Sequence, residues 1–204
     1  MTNFCLYNKS IFLTKILFIC LIFCTKSSGI ENNKLENITE GNKNAKIEII
    51  VYESLTCPHC AEFHTEIYPH LKKDFINKGL VKIEFKNFPL DLAALNASKI
   101  AHCKNDGKSD VLHFLFLNQD IWTKGQTIEE INLNLKKVIN KGNFKLDIQK
   151  CISNKKIEDH ILEDRIESVK KFEINSTPTL IINNKKFNKP LTYKNLKKAI
   201  EKLI

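Results

Sequence analysis

Apolar residues change their spacing several times along the chain, and each change marks an element. Ile47-Glu48-Ile49-Ile50-Val51-Tyr52 is β-branched and mostly apolar, which predicts a buried strand. From Pro58 to about Asn77, Phe63, Ile67 and Leu71 recur on one helical face, with Gly79 as the stop signal. Pro69 falls inside that helix and is expected to kink it. Val81-Lys82-Ile83-Glu84-Phe85 alternates as a second strand. Between Leu92 and Phe172 no strand pattern occurs. Ile128, Ile131, Leu135, Val138 and Ile139 have helical spacing, as do Ile157, Ile161, Ile166 and Val169, and Val111 to Leu117 is apolar nearly all round, as in a buried helix. Thr179 to Ile182 is a strand, Asn183-Asn184 a turn, Lys185 to Phe187 a return strand, and Leu196, Ala199, Ile200 and Leu203 line a last helix. The pattern is βαβ over residues 45–91, a helical insertion over 92–172, and ββα over 173–204, which is an α/β architecture.

Residues 30–44 are polar and aperiodic, and read as a flexible lead-in. Before them, Lys9 and Lys15 flank the start of the apolar run Ile16 to Cys24, and Ser27, Ser28 and Gly29 follow. A positive start, a short apolar centre and small residues describe a secretory signal peptide over 1–29. An uncleaved anchor is the alternative, although the run is short for a membrane span. Three cysteines, Cys5, Cys20 and Cys24, leave with the leader, and Cys57, Cys60, Cys103 and Cys151 remain. Four cysteines on an exported chain allow disulfides.

Of 32 basic residues all but Arg165 are lysine, and the formal net charge is +9, of which the leader's three lysines account for three. Acids are interspersed with those lysines, as in Lys155-Lys156-Ile157-Glu158-Asp159, and no basic stripe interleaves with aromatics. The charge therefore describes a solvated surface and no nucleic-acid partner.

Cys57-Pro58-His59-Cys60 stands at the predicted start of the first helix. The thiolate is the reactive form of cysteine, and unpaired N–H groups and the positive end of the helix dipole favour it at Cys57. His59, when protonated, adds positive charge, and Pro58 suits a first helical position because its missing N–H has no partner to lose. Stabilising the thiolate favours the reduced pair and makes its disulfide an oxidant. On this logic Cys57 is the nucleophile, while Cys60, one turn further in, resolves the mixed disulfide. The same spacing is half of a zinc or copper site, with His64 one turn from Cys60, so a metal-binding module is the rival reading. Glu53, four residues before Cys57, is placed to sit near the dithiol and tune its pKa, with a solvated strand-end acid as the favoured reading. His64, His70, His102, His113 and His160 show no pairing in the sequence.

With the strand entering Cys57-Pro58-His59-Cys60, the helical insertion, and Ser176-Thr177-Pro178-Thr179 heading a later strand, residues 45–204 resemble the DsbA family of periplasmic oxidoreductases. The resemblance implies a thioredoxin fold with an inserted helical domain, a redox-active Cys57–Cys60 disulfide, and a cis Pro178 in a substrate-binding loop with Thr177. It implies no cofactor and no metal. Its implied partners are reduced or misoxidised exported proteins and a quinone-linked inner-membrane protein that reoxidises a monomeric, periplasmic enzyme. Cys103 and Cys151 resemble a second cysteine pair found in some members, and closing that loop would stabilise the fold by roughly 4 kcal/mol; two separate buried thiols are the alternative. The best-known oxidases of the family carry Val where Thr177 stands, and Thr occurs in isomerase relatives. Disulfide isomerase or reductase is therefore the second reading, although residues 30–44 are too few for the dimerisation domain such isomerases usually carry.

Overall fold

The computed structural model describes residues 34–204, and the signal peptide read over 1–29 lies outside the described residues. Five strands form one mixed sheet: β1 Ile38–Gly41, β2 Ile47–Glu53, β3 Val81–Asn87, β4 Thr179–Ile182 and β5 Lys185–Lys186. Their order is β1-β3-β2-β4-β5. Central β2 runs parallel to β3, with Ile49 beside Ile83 and Val51 beside Phe85, and antiparallel to β4. Strand residues alternate between faces, so Ile47, Ile49, Val51 and Glu53 share one face of β2. The first three join Val81, Ile83 and Phe85 in the main core. Fully burying each such side chain is worth about 1.5–3 kcal/mol. Asn183 and Asn184 take positive φ in the two-residue turn before β5, the geometry such hairpins favour and asparagine tolerates.

Between β2 and β3 lies α1, built from four consecutive segments, Pro58–Glu62, Phe63–Ile67, Tyr68–Leu71 and Lys72–Ile76. The second and fourth have widened turns, in which Tyr68 N–H donates to Phe63 O and Asn77 N–H to Lys72 O. Pro69 lacks an N–H and its ring crowds the carbonyl four residues back. The disturbance expected there is met by a widened turn immediately before it.

Six helices separate β3 from β4: α2 Leu92–Ala101, α3 Asp110–Leu117, α4 Gln119–Trp122, α5 Ile128–Lys141, α6 Ile148–Ser153 and α7 Lys155–Phe172; α8 Tyr193–Glu201 closes the chain. Side chains of Asp91, Thr127, Asp147, Asn154 and Thr192 accept backbone N–H bonds at the starts of α2, α5, α6, α7 and α8, satisfying donors that a helix leaves open. Trp122, Leu112 and Leu115 of the insertion share the main core with the sheet and α1. This is a thioredoxin fold with a helical insertion.

Three sequence expectations need correction. The stretch read as a flexible lead-in contains β1, paired antiparallel to β3 with Ile38 opposite Phe85. Only Ile38 in β1 is a buried apolar residue, so alternation had nothing to show. Gly41 ends the strand at φ +93°, where a Cβ would overlap the Val81 carbonyl oxygen. Second, Val111, Leu112, Leu115 and Phe116 of α3 are buried, but Leu117 is 58% exposed. Third, Ile166 and Val169 face solvent. The inner stripe of α7 continues from Ile157 and Ile161 to Asp164, which pairs with Lys86 of β3 at 2.7 Å, and then to buried Ser168. A polar residue with a waiting partner took the place that apolar spacing assigned to Ile166.

Candidate active site

At the end of β2 the chain turns through Ser54, Leu55 and Thr56 into α1. Cys57 N–H donates to Ser54 O at 3.0 Å. Thr56 Oγ1 donates to Asp91 Oδ2 at 2.7 Å, and Gln119 Nε2 of α4 donates to the Leu55 and Cys57 carbonyls at 2.8 and 3.0 Å. The turn is thus held from the insertion as well as from the sheet. Cys57 is the N-cap of α1 with extended backbone, and Pro58 follows it inside the first turn. Cys60, one turn on, is fully buried, while Cys57 is 7% exposed; both are free thiols.

The two sulfurs have opposite proton affinities. A hydrogen bond from the Cys60 thiol is the largest influence lowering Cys57; burial opposes it, and Thr177 with the N–H groups of Cys60 and His59 adds to it, bringing Cys57 to about 5. Burial first, then the hydrogen bond to Cys57 and the charge of Glu53, push the Cys60 thiol far up. His59 therefore acts on Cys57 through its peptide N–H. Its ring is 79% exposed and lies 3.3 Å from Glu62.

The Thr177–Pro178 bond is cis. It presents the Thr177 carbonyl to Cys57, whose Sγ donates to it at 3.3 Å. Thr177 Oγ1 is buried and unpartnered while Cys57 is a thiol, and becomes a donor that lowers Cys57 when it ionises. The structure thus brings Cys57, Pro58, His59, Cys60, Thr177 and Pro178 together. Cys103 and Cys151 are joined by a disulfide between the end of α2 and α6, with Cα atoms 5.4 Å apart. Among the described residues no group of three or more His, Cys, Asp or Glu side chains is arranged to hold a metal ion.

Sequence reasoning named Glu53 as one candidate neighbour of the dithiol but missed its burial and the histidines joined to it. Glu53 is fully buried, the reverse of a solvated strand-end acid. The signal was present: it shares the strand parity of Ile47, Ile49 and Val51. Burial drives its carboxyl well above the ordinary range, and burial takes His64 down to about 3. Their 2.7 Å contact, Glu53 Oε2 to His64 Nε2, is consequently a hydrogen bond between neutral groups. His64, expected to be unpaired, also meets His113 through the two Nδ1 atoms at 2.8 Å. His113 Nε2 reaches Glu40 Oε1 at 2.7 Å. His102 is buried with its Nε2 2.9 Å from Asn87 Nδ2. No spacing rule links 40, 53, 64 and 113, which come from two strands and two helices.

Fold and site define a thioredoxin-class protein with one asymmetric dithiol. The family model described as thioredoxin matches residues 33–202, and the chain belongs to that family. Within it the chain is DsbA-like: it is similar to alpha-DsbA1 of Wolbachia pipientis, with 30% identity and a TM-score of 0.74 over 82% of this chain and 90% of that one. It is 31% identical over 145 residues to a putative protein-disulfide oxidoreductase of Rickettsia bellii, covering 70% of this chain and 55% of the relative. The chain thus spans about half the length of that relative. Disulfide bond formation protein D of Bacillus subtilis is 26% identical over 173 residues, 79% of this chain and 74% of that protein.

Proposed function

We propose that this chain is an exported protein-disulfide oxidoreductase that donates the Cys57–Cys60 disulfide to reduced cysteines of newly exported proteins. The observation that carries the reading is the asymmetry of the pair, an acidic thiol at the helix start and a buried, strongly basic thiolate behind it. A substrate thiolate attacks Cys57, the less buried member, and Cys60 leaves. A second substrate thiolate then displaces Cys57, a good leaving group because its thiolate is stabilised. Thr177 and Pro178 line the place where the substrate chain lies. The names of the relatives, protein-disulfide oxidoreductase and disulfide bond formation protein, support the class of reaction. The leader read in the sequence supports a periplasmic location, and the DsbA resemblance supports a monomer reoxidised by a quinone-linked inner-membrane protein. Cys103–Cys151 is its structural disulfide.

Cys57→Ala abolishes oxidation of a reduced, unfolded protein substrate, and Cys60→Ala accumulates mixed disulfides visible on non-reducing gels. Full activity in Cys57→Ala sinks the reading. A redox equilibrium against glutathione fixes the direction: a potential near about −120 mV, the value of the DsbA oxidases themselves, belongs to a disulfide donor, and one near about −270 mV to a thioredoxin-like reductant. The isomerase reading keeps one observation in its favour, the Thr177 hydroxyl beside Cys57. Recovery of a scrambled substrate by the reduced protein is its test.

A further inference from the structure

Burying Cys60 creates a problem of proton supply. When its sulfur leaves as a thiolate it does so in a water-poor core, where the charge is costly. Behind it, Glu53, His64, His113 and Glu40 follow one another by hydrogen bonds, and the charge of Glu53 acts on Cys60. Glu40 of β1 shares the core-facing parity of Ile38 and accepts hydrogen bonds from Tyr68 OH at 2.6 Å, the Ser109 hydroxyl, and Lys72 Nζ at 2.9 Å. Burial tends to raise Glu40, but hydrogen bonds from His113, Ser109, Tyr68 and Lys72 outweigh it and keep the carboxylate ionised.

That charge sets every proton further in. An ionised Glu40 takes the proton of His113 Nε2, which makes His113 Nδ1 an acceptor. His64 Nδ1 is then the donor and His64 Nε2 an acceptor, so Glu53 Oε2 carries a proton. Glu53 Oε1 is buried without a partner, so it is not engaged by the histidines, and the Glu53 carboxyl is near enough to both sulfurs for their charges to act on one another. At the outer end, His113 and His64 border an open cleft of about 430 Å³ lined also by Tyr68, Lys72 and Leu117.

We propose that Glu53, His64, His113 and Glu40 form a relay that carries one proton between solvent and the buried Cys60 sulfur in each half of the redox cycle. The inference rests on Cys60 being the buried half of the reactive pair. In reduction, a substrate thiolate bonds to Cys57 Sγ, the Cys57–Cys60 bond breaks, and its electron pair stays on Cys60. Glu53 gives Cys60 a proton and is resupplied through His64 and His113 from water in the cleft, with the Glu40 carboxylate accepting from His113 once the proton has passed. The second substrate thiolate then takes the substrate sulfur and frees Cys57 as a thiolate. Two thiolates, the enzyme disulfide and one proton become a substrate disulfide, one thiolate and one thiol. In reoxidation every hop reverses, and the hydrogen-bond directions derived above are those poised to pass a proton outward. Cys57, Tyr68, Lys72 and Asp110 at the start of α3 are the other ionisable groups acting on this series; His64, His113 and Glu40 are positioning residues that act through Glu53.

The test is the rate at which glutathione reduces the oxidised protein, read by quenched alkylation. His113→Gln keeps the size and hydrogen bonds of His113 but passes no proton, and slows reduction by about 100-fold, the lower end of what a positioned proton carrier supplies. His113→Ala is equally slow and recovers in proportion to added imidazole, which enters the cleft. The glutathione equilibrium constant of both variants stays that of the unmodified protein, because a relay changes rate and not poise. A His113→Gln variant that reacts at the unmodified rate, or an Ala variant that imidazole does not rescue, overturns the relay. An unmodified protein inert to glutathione overturns the proposed function instead.

Discussion

Cys57 shows how few contacts suffice to make a cysteine acidic. Its thiolate is held by the Cys60 thiol, by Thr177, and by the peptide N–H groups of Cys60 and His59. Ultraviolet thiolate absorbance of the reduced protein should therefore titrate with a midpoint near pH 5. Thr177→Val removes one donor and should move that midpoint upward; an unchanged midpoint would show that the hydroxyl takes no part. The dithiol and Thr177-Pro178 were legible in the sequence because each announces itself within four residues. Glu53 was half legible, since strand parity assigns it to the core but nothing local says that a histidine waits there. His64, His113 and Glu40 were not legible as a group. Their meeting depends on the sheet register and on the packing of α3 over α1, which are properties of the folded chain.

At the scale of elements, the turn before α1 depends on a helix more than sixty residues away in sequence. Gln119 of α4 supplies hydrogen bonds to two carbonyls of that turn. Gln119→Ala leaves the Leu55 carbonyl without this donor, while Cys57 O still accepts from Cys60 and Ala61 N–H. The expected loss is about 1–2 kcal/mol in urea unfolding, with the Cys57 titration unmoved because Gln119 does not touch its sulfur. A shifted titration would mean that α4 also sets the geometry of the thiolate. Helices of the insertion were readable from their spacing. Their inner faces were readable only where apolar: on α7 the spacing named Ile166, and the half-buried ion pair of Asp164 with Lys86 decided otherwise. Strand β1 was hidden for the same reason, since half its inward residues are the single acid Glu40.

For the whole molecule, the acidity of Cys57 links redox state to stability. In the folded reduced protein it ionises near 5 rather than at its ordinary 9.0. The unfolded chain thus binds more protons between those values, and stability rises with pH across that window. The contribution is complete above about pH 9 and lost as pH falls through 5. Above pH 9, Cys60 works the other way, because burial keeps it neutral where the unfolded chain ionises. The oxidised protein has neither thiol, so its melting temperature should fall behind that of the reduced protein as pH rises from 5 to 9. Parallel melting curves across that range would refute the shift. One further consequence comes from the widened turns of α1. Cys60, His64, Tyr68 and Lys72 follow one another at every fourth residue, and in a uniform α-helix each such step veers by about 40°. Turns that hold more than four residues cancel part of that drift. The helix therefore acts as a ruled line, joining the buried sulfur to the surface lysine along one side, and loss of a single residue between Phe63 and Ile67 would break the line while leaving Cys57-Pro58-His59-Cys60 intact.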